Sequence, residues 1–180
     1  MREIELKVRV SDLSPVRSRL GTLHAEFMGK VHERDVYYNA PDRDFGITDE
    51  AIRVRYSSGT STVTYKGAKI SGVAIKAREE LSTRVESGEV FEMILSGLGY
   101  TRTAVVAKWR EYYGFAGSSI ALDEVEGLGS FVEIEIISGD EVEEVMQMIE
   151  HIVKELGVEG ERTLSSYLEL LLATRSGARS

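Results

Sequence analysis

Two Glu-x-Glu pairs, Glu3-Ile4-Glu5 and Glu133-Ile134-Glu135, share this sequence with cations at the same spacing in Lys7/Arg9, Arg53/Arg55 and Lys108/Arg110. In an extended strand, residues two apart point to the same face. Each pair therefore presents like charges side by side. Carboxylates are hard oxygen ligands of the kind that suit Mg²⁺ or Mn²⁺, whereas arginine forks and lysine ammonium groups suit phosphate. Metal on one side and cations on the other is what phosphoryl transfer requires, because positioning and charge neutralisation do most of its catalysis. A single phosphate would not need so many cations, so the expected substrate is a triphosphate.

These residues sit on strands that alternate charged and apolar positions. Residues Glu3 to Val10 place Glu3, Glu5, Lys7 and Arg9 opposite Ile4, Leu6, Val8 and Val10. Arg53 and Arg55 oppose Ile52, Val54 and Tyr56, and Thr62, Thr64 and Lys66 oppose Val63 and Tyr65. A strand over about 73–85 groups Arg78, Glu80, Ser82 and Arg84, and one over 101–115 groups Lys108, Arg110 and Tyr112. Asp123 opposes Ile120 and Leu122, and the Glu126-Gly127-Leu128-Gly129 turn leads into the second Glu-x-Glu strand. A further long strand is expected over 27–39, followed by a loop over 40–46.

Amphipathic helices are expected after the first strand, capped by Ser11 or Ser14 with Pro15 in the first turn, over 87–98, and over 140–156. In the last of these Val142, Val145, Ile149, Ile152, Val153 and Leu156 form the apolar stripe. A short helix over 164–172 precedes a polar tail, 174–180, expected to be disordered. The helices must bury their stripes against apolar strand faces, which turns the charged faces the other way. The fold class is α+β: an eight-stranded antiparallel β-barrel with a polar, charged interior and amphipathic helices packed outside. Unpaired buried ions are costly, so a charged interior calls for a ligand.

Composition narrows the rest. A chain of 180 residues with 42% hydrophobic and 29% charged residues reads as one soluble globular domain, 1–173. A net charge of −8 argues against general binding to nucleic acid or anionic membranes. No apolar run reaches the roughly 20 residues of a membrane span, and no apolar leader precedes Arg2 and Glu3, so a cytoplasmic protein is expected. Cysteine is absent, which removes disulfides, thiolate metal sites and cysteine nucleophiles. His24, His32 and His151 show no metal-ligand spacing, and Trp109 is expected to be core by its parity.

The ordered motifs resemble CYTH-domain proteins, the triphosphate tunnel metalloenzymes. Glu3-Ile4-Glu5-Leu6-Lys7 matches their N-terminal signature, and Arg53-Val54-Arg55, Thr64-Tyr65-Lys66-Gly67, Arg78-Glu79-Glu80, Lys108-Trp109-Arg110, the 122–129 turn and Glu133-Ile134-Glu135 follow in order. Arg34-Asp35-Val36-Tyr37-Tyr38-Asn39 and the segments Asp42 to Phe45 and Thr48 to Ala51 are most similar to the class IV adenylyl cyclase-like branch. The resemblance implies a tunnel for a triphosphate and divalent metal, Mg²⁺ or Mn²⁺. It implies Glu3, Glu5, Asp123, Glu133 and Glu135 as metal-site groups, and Lys7, Arg53, Arg55, Lys66, Arg78, Glu80, Lys108 and Arg110 as substrate-binding groups. Glu5, Lys7, Glu133 and Glu135 are the catalytic candidates. The reaction is cyclisation of ATP to cyclic AMP and diphosphate, or hydrolysis of an inorganic or organic triphosphate; a non-catalytic triphosphate or polyphosphate sensor is the third reading. The resemblance also allows a homodimer.

Overall fold

The computed structural model describes residues 2–68 and 79–177, with the backbone alone for Arg2, Glu3, Ser176 and Gly177. Its strands are β1 (Arg2–Val10), β2 (Glu26–Asn39), β3 (Ala51–Ser57), β4 (Thr60–Lys66), β5 (Glu80–Val85), β6 (Thr101–Phe115), β7 (Ser118–Val125), β8 (Gly129–Ser138) and β9 (Glu161–Thr163). Five helices, α1 (Ser14–Thr22), α2 (Phe45–Thr48), α3 (Gly88–Gly97), α4 (Val142–Leu156) and α5 (Tyr167–Gly177), intervene or follow. The strands form one antiparallel sheet in the order β5-β4-β3-β2-β6-β7-β8-β1-β9. The expected eight-stranded barrel is thus a sheet of nine strands, and among the described residues it is not closed. The ninth, β9, is three residues long and pairs with β1 through Lys7↔Thr163, Val8↔Arg162 and Arg9↔Glu161.

The chain divides into two compact units. The first holds β1, α1, β7, β8, α4, β9 and one half each of β2 and β6. Its core forms on the apolar face of the sheet: Ile4, Leu6, Val8, Ile120, Leu122, Val132, Ile134 and Ile136 pack under Val16 and Leu20 of α1 and Val145, Ile149, Ile152, Val153 and Leu156 of α4. The α4 stripe is the expected one, with Val142 partly buried at its start. Each such side chain contributes about 1.5–3 kcal/mol on full burial. The α1 cap differs from expectation: the cap position is Leu13, which makes no side-chain capping bond, and Asp12 just ahead of it accepts from the Ser14 amide at 2.9 Å.

The second unit holds β3, β4, β5, α2, α3, α5 and the other halves of β2 and β6. Val36, Tyr38, Val54 and Val63 of its sheet pack with Leu95 and Phe91 of α3. Ser87 caps α3, accepting from the Val90 amide at 3.2 Å. Val90 and Ile94, expected in the buried stripe, are exposed, because the helix meets the sheet along the Phe91 and Leu95 line. Glu92 instead ties α3 down, accepting hydrogen bonds from Tyr38 and Tyr56.

The expected 40–46 loop contains the start of α2, with Asp44 accepting from the Gly46 amide at 2.9 Å. The described part of β5 begins at Glu80, and the earlier part of the strand expected over 73–85 lies outside the described residues up to Arg78. The final helix runs on to Gly177, where a tail was expected from Thr174.

Candidate active site

The register confirms the charged faces strand by strand. In the first unit Glu5 pairs with Glu135 and Lys7 with Glu133 across β1 and β8. Directly paired residues share a face, so these four side chains form one block. On β7, Ser119 pairs with Glu135 and Ala121 with Glu133, while Arg110 of β6 pairs with Asp123. Glu3 continues the block in its backbone, pairing with Ile137.

Ion pairs knit this face together. Lys7 is only 4% exposed; its Nζ lies 3.1 Å from Glu5 Oε1 and 3.0 Å from Glu133 Oε1. It also donates to the Ser165 carbonyl at 3.4 Å. Arg110 grips Asp123 with two donors, the Nε bond being 2.6 Å, and reaches Glu133 through Nη2. Lys108 Nζ lies 3.8 Å from the same Asp123, which is fully buried. Burial acts against the charge on Glu133, yet Arg110, Lys7 and Lys108 outweigh it and hold its carboxyl well below the usual range. Burial likewise opposes the Lys7 charge, and Glu133 and Glu5 overcome it, raising the ammonium pKa. At neutral pH the block is ionised throughout the Lys7–Glu133 pair.

In the second unit Asp35 pairs with Arg55 and Tyr37 with Arg53, and these two arginines pair with Thr62 and Thr64 of β4. Asp35 accepts two bonds from Arg55, both 2.7 Å, and lies 3.5 Å from Arg53 Nη1. Glu33 takes the remaining arm of Arg55 at 3.0 Å. Arg53 Nη2 reaches Thr64 Oγ1 at 3.4 Å, and Thr64 meets Ser82 at 2.9 Å. The Arg53 Nε is buried without a hydrogen-bond partner among the described residues, a donor that an anionic oxygen would satisfy. Lys66 and Glu80 pair at 2.6 Å.

The expected site residues thus fall into two clusters, one per unit. Glu5, Lys7, Glu133, Lys108, Arg110 and Asp123 are joined by contacts in the first, with Glu135 on the same face by register. Arg53, Arg55, Lys66 and Glu80 share a face in the second. The Glu3 side chain and Arg78 lie outside the described residues. Among the described residues no three carboxylate or histidine side chains stand in a metal-holding arrangement, because Lys7 and Arg110 occupy the oxygens of Glu5, Glu133 and Asp123. The chemistry of the donor set still suits a hard divalent cation.

Sequence reasoning missed Asp35, Glu33 and Tyr37, which share the face of the basic strand. Burial raises the Tyr37 hydroxyl pKa, with Asp35 adding to it. The signal was present: after Gly29 the positions 33, 35 and 37 keep the alternation of the other strands. Phe131 was missed too, fully buried on the charged face with the Arg9 guanidinium 5.7 Å from its ring centroid. Trp109 does oppose Lys108 and Arg110, as its parity requires, but it is 47% exposed rather than core, with Lys30 over its ring at 5.8 Å. A cavity of about 360 Å³ lined by Ala116, Gln147, Met148 and His151 lies along α4 and includes none of the expected site residues.

A CYTH domain matches residues 1–167, and the chain belongs to that family. It is 38% identical over 173 residues to "Putative adenylate cyclase MJ0240" of Methanocaldococcus jannaschii, covering 94% of this chain and 98% of that one. Among solved structures it resembles the PH1819 protein of Pyrococcus horikoshii, with a TM-score of 0.84 and 38% identity over 96% of this chain and 99% of that one. At 19% identity it shares a fold with "Putative adenylyl cyclase HpAC1" of Hippeastrum, described as having a dominant triphosphatase activity; the TM-score is 0.70, covering 98% of this chain and 96% of that one. Among the described residues no helix is long and apolar enough to cross a membrane.

Proposed function

We propose that the chain is a divalent-metal-dependent enzyme acting on triphosphates, with class IV adenylyl cyclase-like conversion of ATP to cyclic AMP and diphosphate as its reaction. The observation that carries this reading is the Glu133 carboxylate held ionised between Lys7 and Arg110, in a chain of the CYTH family. Glu5, Glu133 and Glu135 would hold Mg²⁺ or Mn²⁺, with Glu3 and Asp123 as further acidic groups of the metal site. When bound, the metal neutralises phosphate charge and makes the attacking oxygen a better nucleophile.

Lys7, Lys108 and Arg110 supply the first unit's phosphate contacts. Arg53, Arg55, Lys66 and Arg78 are the second unit's phosphate donors, Glu80 orienting Lys66. Arg53 carries a buried donor suited to a phosphoryl oxygen. In cyclisation the ribose 3′-oxygen bonds to the α-phosphorus, the bond to the bridging oxygen breaks, and diphosphate leaves. In hydrolysis water attacks a terminal phosphorus instead, the bond to its bridging oxygen breaks, and the diphosphate portion leaves as orthophosphate forms. Hydrolysis is the second reading, favoured by the triphosphatase activity described for HpAC1 on the same fold.

Phosphorus NMR of the purified protein with ATP, then inorganic triphosphate, each with Mn²⁺ or Mg²⁺, separates these. Cyclic AMP and diphosphate establish the cyclase, and orthophosphate without cyclic product establishes the triphosphatase. Tight binding without product would make the protein a sensor. Glu133→Gln, folded by circular dichroism, should lose activity by at least about a hundredfold; unchanged turnover would refute the proposed metal site.

A further inference from the structure

We infer that Tyr112 is the floor of a subsite for a flat aromatic base, so that this site takes nucleoside triphosphates in preference to inorganic triphosphate; this rests on the triphosphate reading above. Tyr112 follows Arg110 by two residues on β6 and therefore shares its face. Its ring lies 5.6 Å from the Arg110 guanidinium. It pairs with Ala121, and Ala121 with Glu133. Tyr112 and Glu133 are thus two strands apart, about 10 Å at the usual inter-strand spacing. That is the reach of a ribose and its first phosphate.

On the side away from Arg110 the tyrosine's strand neighbours on this face are small, where the rest of the face is long and charged. Gly114 follows it on the same face and pairs with Ser119, and Ala121 stands directly opposite. A Cβ placed on Gly114 would lie 3.8 Å from the Met28 sulfur and 3.9 Å from Glu26 Oε2, which brings Met28 and the Glu26 carboxylate to the same end of the face. Met28 is 66% exposed. An exposed thioether and a half-buried tyrosine, bordered by glycine, serine and alanine with the Glu26 carboxylate at the edge, form a niche of small and polarisable groups on a face otherwise lined with charge. Polarisable sulfur and a ring face both suit a π-system, and neither offers anything to a bare phosphate chain. Inorganic triphosphate would leave the niche unused.

The test is equilibrium binding by calorimetry of ATP and of inorganic triphosphate, each with Ca²⁺, to the wild type and to Tyr112→Leu, Tyr112→Phe and Gly114→Val. Phosphorus NMR checks that both ligands stay intact. Gly114→Val fills the niche at a strand position where the added Cβ meets only ordinary van der Waals contacts, so it tests the niche without touching the tyrosine. Base stacking predicts a loss of about tenfold or more in ATP affinity for Tyr112→Leu and Gly114→Val, retention in Tyr112→Phe, and unchanged affinity for inorganic triphosphate in all three. Equal ATP affinity in the wild type, Tyr112→Leu and Gly114→Val, or parallel losses for both ligands, would overturn the subsite while leaving triphosphate binding standing. A wild type that binds neither ligand would overturn the triphosphate reading and the subsite with it.

Discussion

Asp123 offers the sharpest test of how the charged face is held. It is fully buried, takes two donors from Arg110, and lies 3.8 Å from Lys108, which is itself 3% exposed. Asp123→Asn keeps the size and one acceptor but removes the charge that balances the buried Lys108 and the partly buried Arg110. Breaking a buried ion pair on one side typically costs about 3–5 kcal/mol, because the remaining ion loses its compensation. At roughly 2–4 °C per kcal/mol for a chain of this size, the melting temperature should fall by roughly 6–20 °C. Urea unfolding followed by circular dichroism reads the same loss as a lower midpoint at unchanged slope. Inorganic triphosphate should restore more stability to the variant than to the wild type, since its oxygens supply the missing negative charge. A variant within about 1 kcal/mol of the wild type would refute the view that Asp123 holds these cations in place.

Other expectations follow from contacts already described or from neighbouring side chains. Glu92→Gln should destabilise the docking of α3 by about 1–3 kcal/mol. The Tyr38 hydroxyl, pushed up to about 12 by burial and Glu92, should then titrate closer to 10 by ultraviolet absorbance. Glu111 is hydrogen-bonded to Arg17, Lys30 and Tyr113, and these bonds, that from Arg17 foremost, lower its pKa to about 2 despite burial. A carboxylate depressed on folding stabilises the protein fully above its ordinary 4.5, and that stability drains away as pH falls toward about 2. Glu111→Gln should therefore flatten the acid limb of a stability–pH curve; an unchanged limb would remove Glu111 from the account. At Gly160 an added Cβ would lie 1.9 Å from the Arg9 carbonyl oxygen, and its φ is +157°. Gly160→Ala should cost at least about 1–3 kcal/mol in chemical unfolding, because β9 cannot approach β1 as closely.

Much of this was legible in the sequence because alternation is a local signal. Ile4, Leu6 and Val8 declare one face of β1, and Glu5 and Lys7 the other, whichever strand lies beside them. What alternation cannot supply is the neighbour. That Asp35 would clamp Arg55 depended on β2 pairing with β3 in one register, which the residues of β3 alone do not reveal. The metal set was read as carboxylates near one another. In the structure Lys7 stands between Glu5 and Glu133, and a cation between two acids is a fact of register that composition does not carry. Trp109 shows the other limit, since parity gave its side of the sheet correctly but not whether a helix covers it. The elements that escaped, α2 and β9, are four and three residues long, too short for any periodicity to show.

The two-faced strands also act as a proofreading device during folding. If β1 slid by one residue against β8, every side chain of β1 would change sides. Glu5, Lys7 and Arg9 would be forced beneath α1 and α4, and Ile4, Leu6 and Val8 would be set among ions. A strand with a bland polar face could tolerate such a slip and leave a long-lived misfolded population. Here the mistaken pairing strands several ions in oil at once, so the charges of the strand make its wrong registers too unstable to persist.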